Sequence, residues 1–326
     1  ASLALTGKTA PKSISLGAMR TQLGLGETAQ LKASFPSGST GSYTFTSSAP
    51  EIISVDGVTA TALKVGSATL TVTAYNGKKA SRTVTVLPAP ESISLNRNEL
   101  TIGEGDQFML TASLNEGSAG AYSFASSNDH VSVNADGTVS ALSKGDATVT
   151  VTTYNGKTAN CLVHVVDAPK SITLATPDGR STYGVKEKVQ LKWALDGCEG
   201  RVKFATSNSK IATVSAAGLV TFKKTGKVTI KATAYNGVTA SLALTGKTAP
   251  KSISLGSMRT QLGLGETAQL KASFPSGSTG SYTFTSSAPE IISVDGVTAT
   301  ALKVGSATLT VAAYNGKKAS RTVTVL

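Results

Sequence analysis

The side chains that could carry catalytic chemistry in this chain are few and scattered. It has two histidines, His130 and His164, and two cysteines, Cys161 and Cys198. A nucleophile with its base, or a zinc site, needs such side chains held together in a defined geometry. Cys161 and His164 share one predicted strand but have opposite parity on it, and His130 and Cys198 lie in a loop and a turn elsewhere. We therefore expect no enzyme activity and no cofactor. Two cysteines are too few for a disulfide framework, so two separate thiols are favoured over a bridge between them.

Possible calcium ligands occur in one segment. Asn128-Asp129 and Asn134-Ala135-Asp136-Gly137 carry amide and carboxylate oxygens of the kind that Ca²⁺ prefers. Asp-Gly is also a common turn sequence, and Asp56-Gly57 stands at a corresponding place in an earlier segment. We favour the turn interpretation and assign no metal ligand.

The formal net charge of +12 is unevenly distributed. Residues 89–167 hold three basic and nine acidic residues, whereas residues 168–249 hold thirteen basic and four acidic residues. The basic segment could bind an anionic cell-wall polymer or host glycan, or the acidic segment of a neighbouring copy of the chain. Exposed aromatic residues are not interleaved with these cations, so we expect no nucleic-acid binding. The alternative is a solvated lysine surface that discourages edge-to-edge pairing of strands. The candidate contact residues are Lys186, Lys188, Lys192, Arg201, Lys203, Lys223, Lys224, Lys227 and Lys231.

One segment that recurs four times sets the organisation of the chain. In it, apolar residues alternate with Thr, Ser or Lys, which is the pattern of a strand with one buried face. Asn-Gly follows, which predicts a two-residue type I′ turn and a returning strand. Four copies of this hairpin predict four structural units. The copies are Gly66–Gly77, Gly145–Gly156, Gly226–Gly237 and Gly305–Gly316.

Each unit begins with a proline followed by an alternating strand. We predict four domains, at residues 11–88, 89–167, 168–249 and 250–326. Residues 1–10 repeat the sequence of residues 240–249, so they are predicted to be the final strand of a preceding repeat. Residues 1–87 match residues 240–326 except that Ala18 and Thr73 are replaced by Ser257 and Ala312. The fourth domain is therefore a near-copy of the first.

Short strands separated by Gly and Pro predict an all-β fold of antiparallel β-sandwiches, with seven strands in each unit. In the third unit the alternation places Trp193 in the core, beside Leu191 and Leu195. Pro-containing linkers predict semi-rigid junctions and an elongated array. Residues 246–250 contain Gly and are the predicted hinge.

Several motifs resemble the bacterial Ig-like domain, group 2. They are Ser-Ile-Ser-Leu near the start of the first, second and fourth units, with Ser-Ile-Thr-Leu in the third, Leu-Gly-Leu-Gly-Glu-Thr-Ala-Gln-Leu-Lys-Ala at residues 23–33, Phe-Thr-Ser-Ser-Ala-Pro-Glu-Ile-Ile-Ser-Val at residues 45–55, and residues 63–72. The resemblance covers residues 11–326. It implies Ig-like sandwiches of the kind strung along bacterial surface proteins such as intimin-like and leptospiral adhesins, and it supplies no shared catalytic residues.

These observations predict a non-catalytic stalk, spacer or fibre segment of an extracellular bacterial surface protein. The first alternative is an adhesin module that recognises a host protein, a glycan or an anionic cell-wall polymer. The family resemblance also leaves open a decoration domain of a phage virion and an accessory array of a secreted enzyme. No apolar run is long enough to cross a bilayer.

Overall fold

The alternation of apolar and hydroxyl residues produces a structure built from strands. The computed structural model describes residues 9–326, and no helix occurs in that range. The chain divides into two compact units, Ala1–Asp167 and Ala168–Leu326. Each unit contains two of the predicted repeats. The predicted strand at residues 1–10 lies mostly outside the described residues. Thr9, which is described, forms a bridge to Ser39.

The first unit contains eighteen strands, nine in each repeat. In the first repeat they are β1 (Ser15–Leu16), β2 (Gln22–Gly24), β3 (Thr28–Gln30), β4 (Ala33–Ser34), β5 (Tyr43–Ser47), β6 (Ile53–Asp56), β7 (Thr59–Ala62), β8 (Gly66–Ala74) and β9 (Lys79–Leu87). In the second repeat they are β10 (Ile93–Leu95), β11 (Glu99–Gly103), β12 (Gln107–Met109), β13 (Ala112–Leu114), β14 (Tyr122–Ser126), β15 (Val131–Val133), β16 (Thr138–Ala141), β17 (Gly145–Thr153) and β18 (Thr158–Val166).

The second unit repeats this order. In the third repeat the strands are β19 (Ile172–Ala175), β20 (Thr182–Gly184), β21 (Lys188–Gln190), β22 (Lys192–Leu195), β23 (Val202–Thr206), β24 (Ala212–Val214), β25 (Leu219–Phe222), β26 (Gly226–Ala234) and β27 (Thr239–Lys247). In the fourth repeat they are β28 (Ser254–Leu255), β29 (Gln261–Leu262), β30 (Thr267–Gln269), β31 (Ala272–Ser273), β32 (Tyr282–Ser286), β33 (Ile292–Asp295), β34 (Thr298–Ala301), β35 (Gly305–Ala313) and β36 (Lys318–Val325).

Every repeat is a sandwich of the same two sheets. In the first repeat the four-stranded sheet has the order β2-β9-β8-β5 and the three-stranded sheet has the order β3-β7-β6, with β1 and β4 as a separate pair. Alternate residues of both sheets form one core, in which Ile53, Leu70 and Val84 are fully buried. The predicted Ig-like β-sandwich fold is confirmed.

A strand that the sequence pattern does not predict closes one edge of the larger sheet. Gln22–Gly24 pairs in parallel with the last strand of its repeat, with Leu23 opposite Val86. The equivalent strands of the other three repeats also pair in parallel, so the sandwiches are not purely antiparallel. Leu23 is 1% exposed, which shows that this segment contributes to the core despite its brevity.

Trp193 departs from its predicted place in the core, since 38% of the residue is exposed. The predicted single strand is broken after Gln190, and Lys192–Leu195 pairs with β19 instead of continuing in the three-stranded sheet. Because of this break, the predicted alternation of buried and exposed side chains does not continue through Trp193. Trp193 packs edge-on against Phe204 at 6.0 Å between ring centroids, in the way that Tyr43 packs against Phe45 in the first repeat.

The Asn-Gly hairpins form, but their turns differ from the predicted type. Ala74 N–H bonds to the Lys78 carbonyl and Gly77 N–H bonds to the Ala74 carbonyl. Gly77 has φ +81°, whereas Asn76 does not share a positive φ, so the loop is longer than a type I′ turn. The Asn76 side chain donates instead to the Pro11 carbonyl at 2.7 Å. This bond anchors the turn to the start of the repeat, and the adjacent Tyr75 is exposed.

The predicted hinge at residues 246–250 is also corrected. Gly246 and Lys247 belong to strand β27, and Thr248 forms a bridge to Ser278 of the following repeat. The linker between the third and fourth repeats is therefore shorter than the predicted residues 246–250.

Candidate functional site: the joint between repeats

A buried glutamate connects the two repeats of the first unit. The side chain of Glu27 is 2% exposed, and its Oε2 accepts a hydrogen bond from Gly24 N–H at 2.9 Å within the first repeat. Its Oε1 pairs with the Arg20 guanidinium and accepts a bond from Ala121 N–H of the second repeat at 3.0 Å. Hydrogen bonds to a carboxylate are about twice as strong as neutral ones, so one side chain both closes its own turn and holds the neighbouring repeat.

A tyrosine makes the reciprocal contact. Tyr154 lies in the Tyr-Asn-Gly turn of the second repeat, and its hydroxyl donates to the Leu25 carbonyl of the first repeat at 2.6 Å. Burial raises the pKa of the Tyr154 phenol, and burial also lowers the pKa of Arg20. The joint is therefore a partly dehydrated contact with one hydrogen bond donated by the second repeat's backbone and one by its tyrosine.

Glycine is required where the two repeats approach each other. A Cβ placed on Gly24 would lie 2.3 Å from the Ala119 carbonyl oxygen and 2.4 Å from the Tyr154 hydroxyl. Both distances are below any ordinary contact between carbon and oxygen atoms. On the facing side, a Cβ on Gly120 would lie 2.5 Å from the Tyr154 ring. The two repeats thus fit only because neither backbone carries a side chain at the contact.

The second unit repeats the joint with equivalent residues. Glu187 is 2% exposed and accepts bonds from Gly184 N–H at 2.7 Å and, across the joint, from Ser281 N–H at 2.8 Å. Tyr314 donates to the Val185 carbonyl at 2.7 Å. A Cβ on Gly184 would lie 2.2 Å from the Tyr314 hydroxyl. A buried glutamate, a glycine, a tyrosine and a backbone N–H donor therefore join the two repeats within each unit.

The electrostatics of the second joint are more elaborate. Arg180 contacts Glu187 at 2.8 Å and Asp178 at 2.6 Å, and it lies 4.5 Å from the centre of the Tyr183 ring. Burial lowers the pKa of Arg180, but its bonds to the two carboxylates outweigh burial and raise it overall. Burial, aided by the charge of Glu187, raises the pKa of Tyr314 to about 12. Both proton donors therefore keep their protons throughout the neutral range.

The lysine-rich surface predicted in the third repeat is divided by the fold. All nine basic residues are exposed. Lys203, Lys227 and Lys231 lie on the outer face of the four-stranded sheet β20-β27-β26-β23, whereas Lys188 belongs to the three-stranded sheet on the opposite side of the sandwich. Of the remaining residues, Lys192 lies on the separate strand β22. The other four lie in turns and connections, and they are Lys186, Arg201, Lys223 and Lys224.

The other candidate residues serve local structure. Asp136 Oδ1 accepts a bond from Thr138 N–H at 2.9 Å, and Gly137 has φ +88°, so this segment forms a hairpin turn. Asn128 caps a neighbouring turn through His130 N–H at 3.1 Å. His164 Nδ1 lies 2.8 Å from Asp146 Oδ1 on the outer face of its sheet. Groups of three or more metal-binding side chains do not occur within residues 9–326.

The two cysteines carry thiol groups rather than a disulfide. Cys161 is fully buried at an inward position of strand β18, and burial raises the pKa of its thiol. Cys198 is partly buried in a turn of the third repeat. No helix in the described part of the chain is long and apolar enough to span a membrane.

The residues of the joint were not predicted from the sequence. Glu27 belongs to the motif at residues 23–33, which contributes only to the family resemblance, and Tyr154 directly precedes Asn155-Gly156, which predicts only a turn. The signal that could have found them is the recurrence of an acidic residue (Glu27, Glu187) and a tyrosine (Tyr154, Tyr314) at equivalent turn positions of different repeats.

Comparison with known proteins finds a family match for two of the four repeats. Residues 89–163 and 179–244 match the family described as bacterial Ig-like domain, group 2. The second and third repeats therefore each contain a segment that matches the bacterial Ig-like domain, group 2. The first and fourth repeats have the same strand order and pairing as the two matched repeats. No curated protein matches the chain in sequence.

Several solved structures are similar over most of the chain, at low identity. The S-layer protein rSbsC(31-844) is 18% identical with a TM-score of 0.26, over 97% of this chain and 54% of that one. The four N-terminal Ig domains of Dscam1 isoform 6.44 are 10% identical with a TM-score of 0.26, over 97% and 99%. The chain thus spans about half the length of the S-layer protein chain. The family that matches the second and third repeats supports the broad class of extracellular surface structural or adhesion-type proteins.

Proposed function

We propose that this chain is a non-catalytic spacer segment of an extracellular bacterial surface protein, whose repeats hold a terminal part at a distance from the cell. The observation that carries the proposal is the repeated joint, in which Glu27 and Tyr154, and again Glu187 and Tyr314, fasten one sandwich to the next. A spacer needs neighbouring domains that resist folding back on one another, and such a joint supplies that resistance.

The connecting segments support the same role. Leu87 ends the last strand of the first repeat and Ile93 begins the next one, and two of the intervening residues are prolines, which restrict the backbone. Ala119 N–H also bonds to the Pro88 carbonyl at 3.2 Å. The linker and the joint therefore constrain the first pair of repeats from two sides.

Imaging of the purified chain by negative-stain electron microscopy tests this proposal. Each sandwich should contribute roughly 35 to 40 Å, from strands of about 3.3 Å per residue and their loops. We expect extended particles about 150 Å long. Globular particles less than half that length would contradict the spacer role, and exposure of the chain to antibodies on intact cells would test its location.

A second candidate function is binding of an anionic polymer by the third repeat. Ala205 lies opposite Lys231 and Lys203 lies opposite Thr233, which makes Lys203 and Lys231 diagonal neighbours on an exposed sheet face, roughly 7 to 8 Å apart. Replacing Lys203, Lys227 and Lys231 with Gln should abolish retention on a sulfated-polysaccharide column, while replacing Lys223 and Lys224 should have a smaller effect. Retention of the wild-type chain that does not fall with added salt would count against this function.

A further inference from the structure

The parallel strand pair in each repeat connects the beginning of that repeat to its end. In the first repeat, β2 lies near the beginning and β9 is the last strand, with Leu23 opposite Val86. Because the two strands run in the same direction, tension that pulls the two ends of the repeat apart draws β2 and β9 along their axes in opposite senses. The hydrogen bonds of the pair are then loaded together, in shear. The bonds of an antiparallel hairpin would open one after another, so the parallel pair is where a repeat resists tension.

The first strand of each repeat lies outside this pair. In the first repeat β1 pairs with β4 through Ser15 and Leu16, apart from the two main sheets. The equivalent strands β10, β19 and β28 also belong to separate two-stranded sheets. Release of the first strand under tension therefore leaves the parallel pair intact.

The second repeat has the longest parallel pair. Five residue pairs join β11 to β18, from Glu99 opposite Leu162 to Gly103 opposite Val166. Three residue pairs join the equivalent strands in the first and third repeats, and two join them in the fourth. Under shear the added pairs must break together with the others, which raises the barrier that sets the rate of forced unfolding.

Two substitutions between repeats explain the longer pair. Leu100 is 2% exposed and packs in the same core as the fully buried Cys161. At the corresponding positions of the first repeat stand Thr21, which is exposed, and Arg82, whose guanidinium donates to the Met19 carbonyl at 3.2 Å. The apolar side chain at position 100 therefore holds the beginning of β11 against the sandwich, and the strand has five residues where β2 has three.

An imidazole bridge also crosses the pair in the second repeat. His164 Nδ1 lies 2.8 Å from Asp146 Oδ1 on β17, and its Nε2 lies 3.3 Å from Glu99 Oε1 on β11. These two carboxylates are the titratable groups that face His164, and the ring connects three adjacent strands of one sheet. At the corresponding positions of the first repeat, Thr85 and Ser67 share a hydroxyl bond at 3.0 Å that joins β9 to β8.

We propose that the repeats bear tension through their parallel strand pairs and that the second repeat is the strongest, so that a stretched chain unfolds this repeat last. The longer pair and the bridge of Glu99, His164 and Asp146 act together, because both fasten β11 to the last strand. This inference goes beyond the spacer role, which requires a fixed separation but no order of unfolding.

Magnetic tweezers that stretch the full chain from its two ends test this order. We expect four unfolding steps as the force is raised, with the last step at the highest force. At constant force, the two added residue pairs should make the last repeat survive roughly 30-fold longer than the first repeat, which corresponds to about 2 kcal/mol at about 1.4 kcal/mol for each factor of ten.

Cys161 identifies the repeat that unfolds last. Its thiol is buried in β18, so a thiol reagent can react with it only after the second repeat has opened, and the bulky adduct then blocks refolding of that repeat. In a Cys198→Ser background, a chain relaxed after three steps should recover all four repeats, whereas a chain relaxed after four steps should recover three. Loss of a repeat after one, two or three steps, or four steps at one force, would overturn the inference.

The contribution of the bridge is tested by replacing its residues. Glu99→Gln together with His164→Thr removes both contacts from the outer face of the sheet and should shorten the lifetime of the last repeat. Circular dichroism of this double variant should match that of the wild-type chain, since the changes lie outside the core. Ser67→Ala removes the hydroxyl bond at the matching place in the first repeat, and this control should leave the last step unchanged.

The effect of pH gives a second readout of the bridge. The hydrogen bond to Asp146 raises the pKa of His164, so the charged bridge is complete below the ordinary value of about 6.5 and is lost as pH rises through the raised pKa. The last step should therefore weaken between about pH 6 and about pH 9 in the wild-type chain and stay constant in the double variant. A last step that responds neither to pH nor to the double substitution would refute the role of the bridge. Particle length in the imaging experiment depends on neither result, so the spacer proposal is judged separately.

Discussion

Substitution of Gly184 by alanine should open the joint of the second unit without disturbing either sandwich. The new Cβ would lie 2.2 Å from the Tyr314 hydroxyl and 2.5 Å from the Thr279 carbonyl oxygen, so the fourth repeat has to move away by about 1 Å to restore an ordinary contact. That movement breaks the bonds from Ser281 N–H to Glu187 and from Tyr314 to the Val185 carbonyl. The first is worth about 1.5 to 3 kcal/mol and the second about 1 kcal/mol.

Hydrogen exchange of the Ser281 amide measures this loss directly. A destabilisation of the closed joint by about 2.5 to 4 kcal/mol should accelerate exchange roughly 60- to 700-fold, at about 1.4 kcal/mol for each factor of ten. Amides of buried strand β35 should keep their rates. Gly263→Ala is the matched control, because its Cβ meets no atom closer than 3.8 Å. Equal Ser281 exchange in the two variants would refute the docking role of the glycine.

Three further predictions concern titratable groups. Tyr314 should ionise with a pKa of about 12 in the intact chain, measured by NMR, and Gly184→Ala should return it towards the ordinary value near 10. Because the pKa is raised in the closed joint, docking should be complete below pH 10 and weaken as pH rises towards 12. Asp146→Asn should lower the raised pKa of His164, whose main cause is the hydrogen bond to Asp146; a pKa that does not change would exclude that cause. Cys161, buried with a raised pKa, should resist thiol reagents until the second repeat unfolds, and rapid labelling of the native chain would contradict its burial.

The fold could be predicted from the sequence because its strongest signals are local. The long hairpin strands, such as Gly66–Ala74, alternate over nine residues, and one face of each is buried as expected. Weaker local signals failed. Gln22–Gly24 is a three-residue strand without alternation of its own, and only pairing with the distant last strand of the repeat makes it extended.

The joint could not be predicted because its contacts join residues far apart in sequence. Ninety-four positions separate Glu27 from Ala121, and the same separation recurs between Glu187 and Ser281. The prediction that Trp193 lies in the core is wrong for a related reason. The strand breaks at Leu191 because the residues that follow pair with the distant strand β19. Turn sequences such as Tyr-Asn-Gly indicate local geometry, but they do not indicate what the tyrosine at the tip contacts.

The most direct test of the joint is whether its two repeats move as one body. Residual dipolar couplings of backbone amides, measured on the full chain, report the orientation of each sandwich. We predict that one alignment tensor fits the strands of residues 11–167 and that Gly24→Ala separates them into two. Two independent tensors in the wild-type chain would contradict a fixed joint at Glu27 and Tyr154.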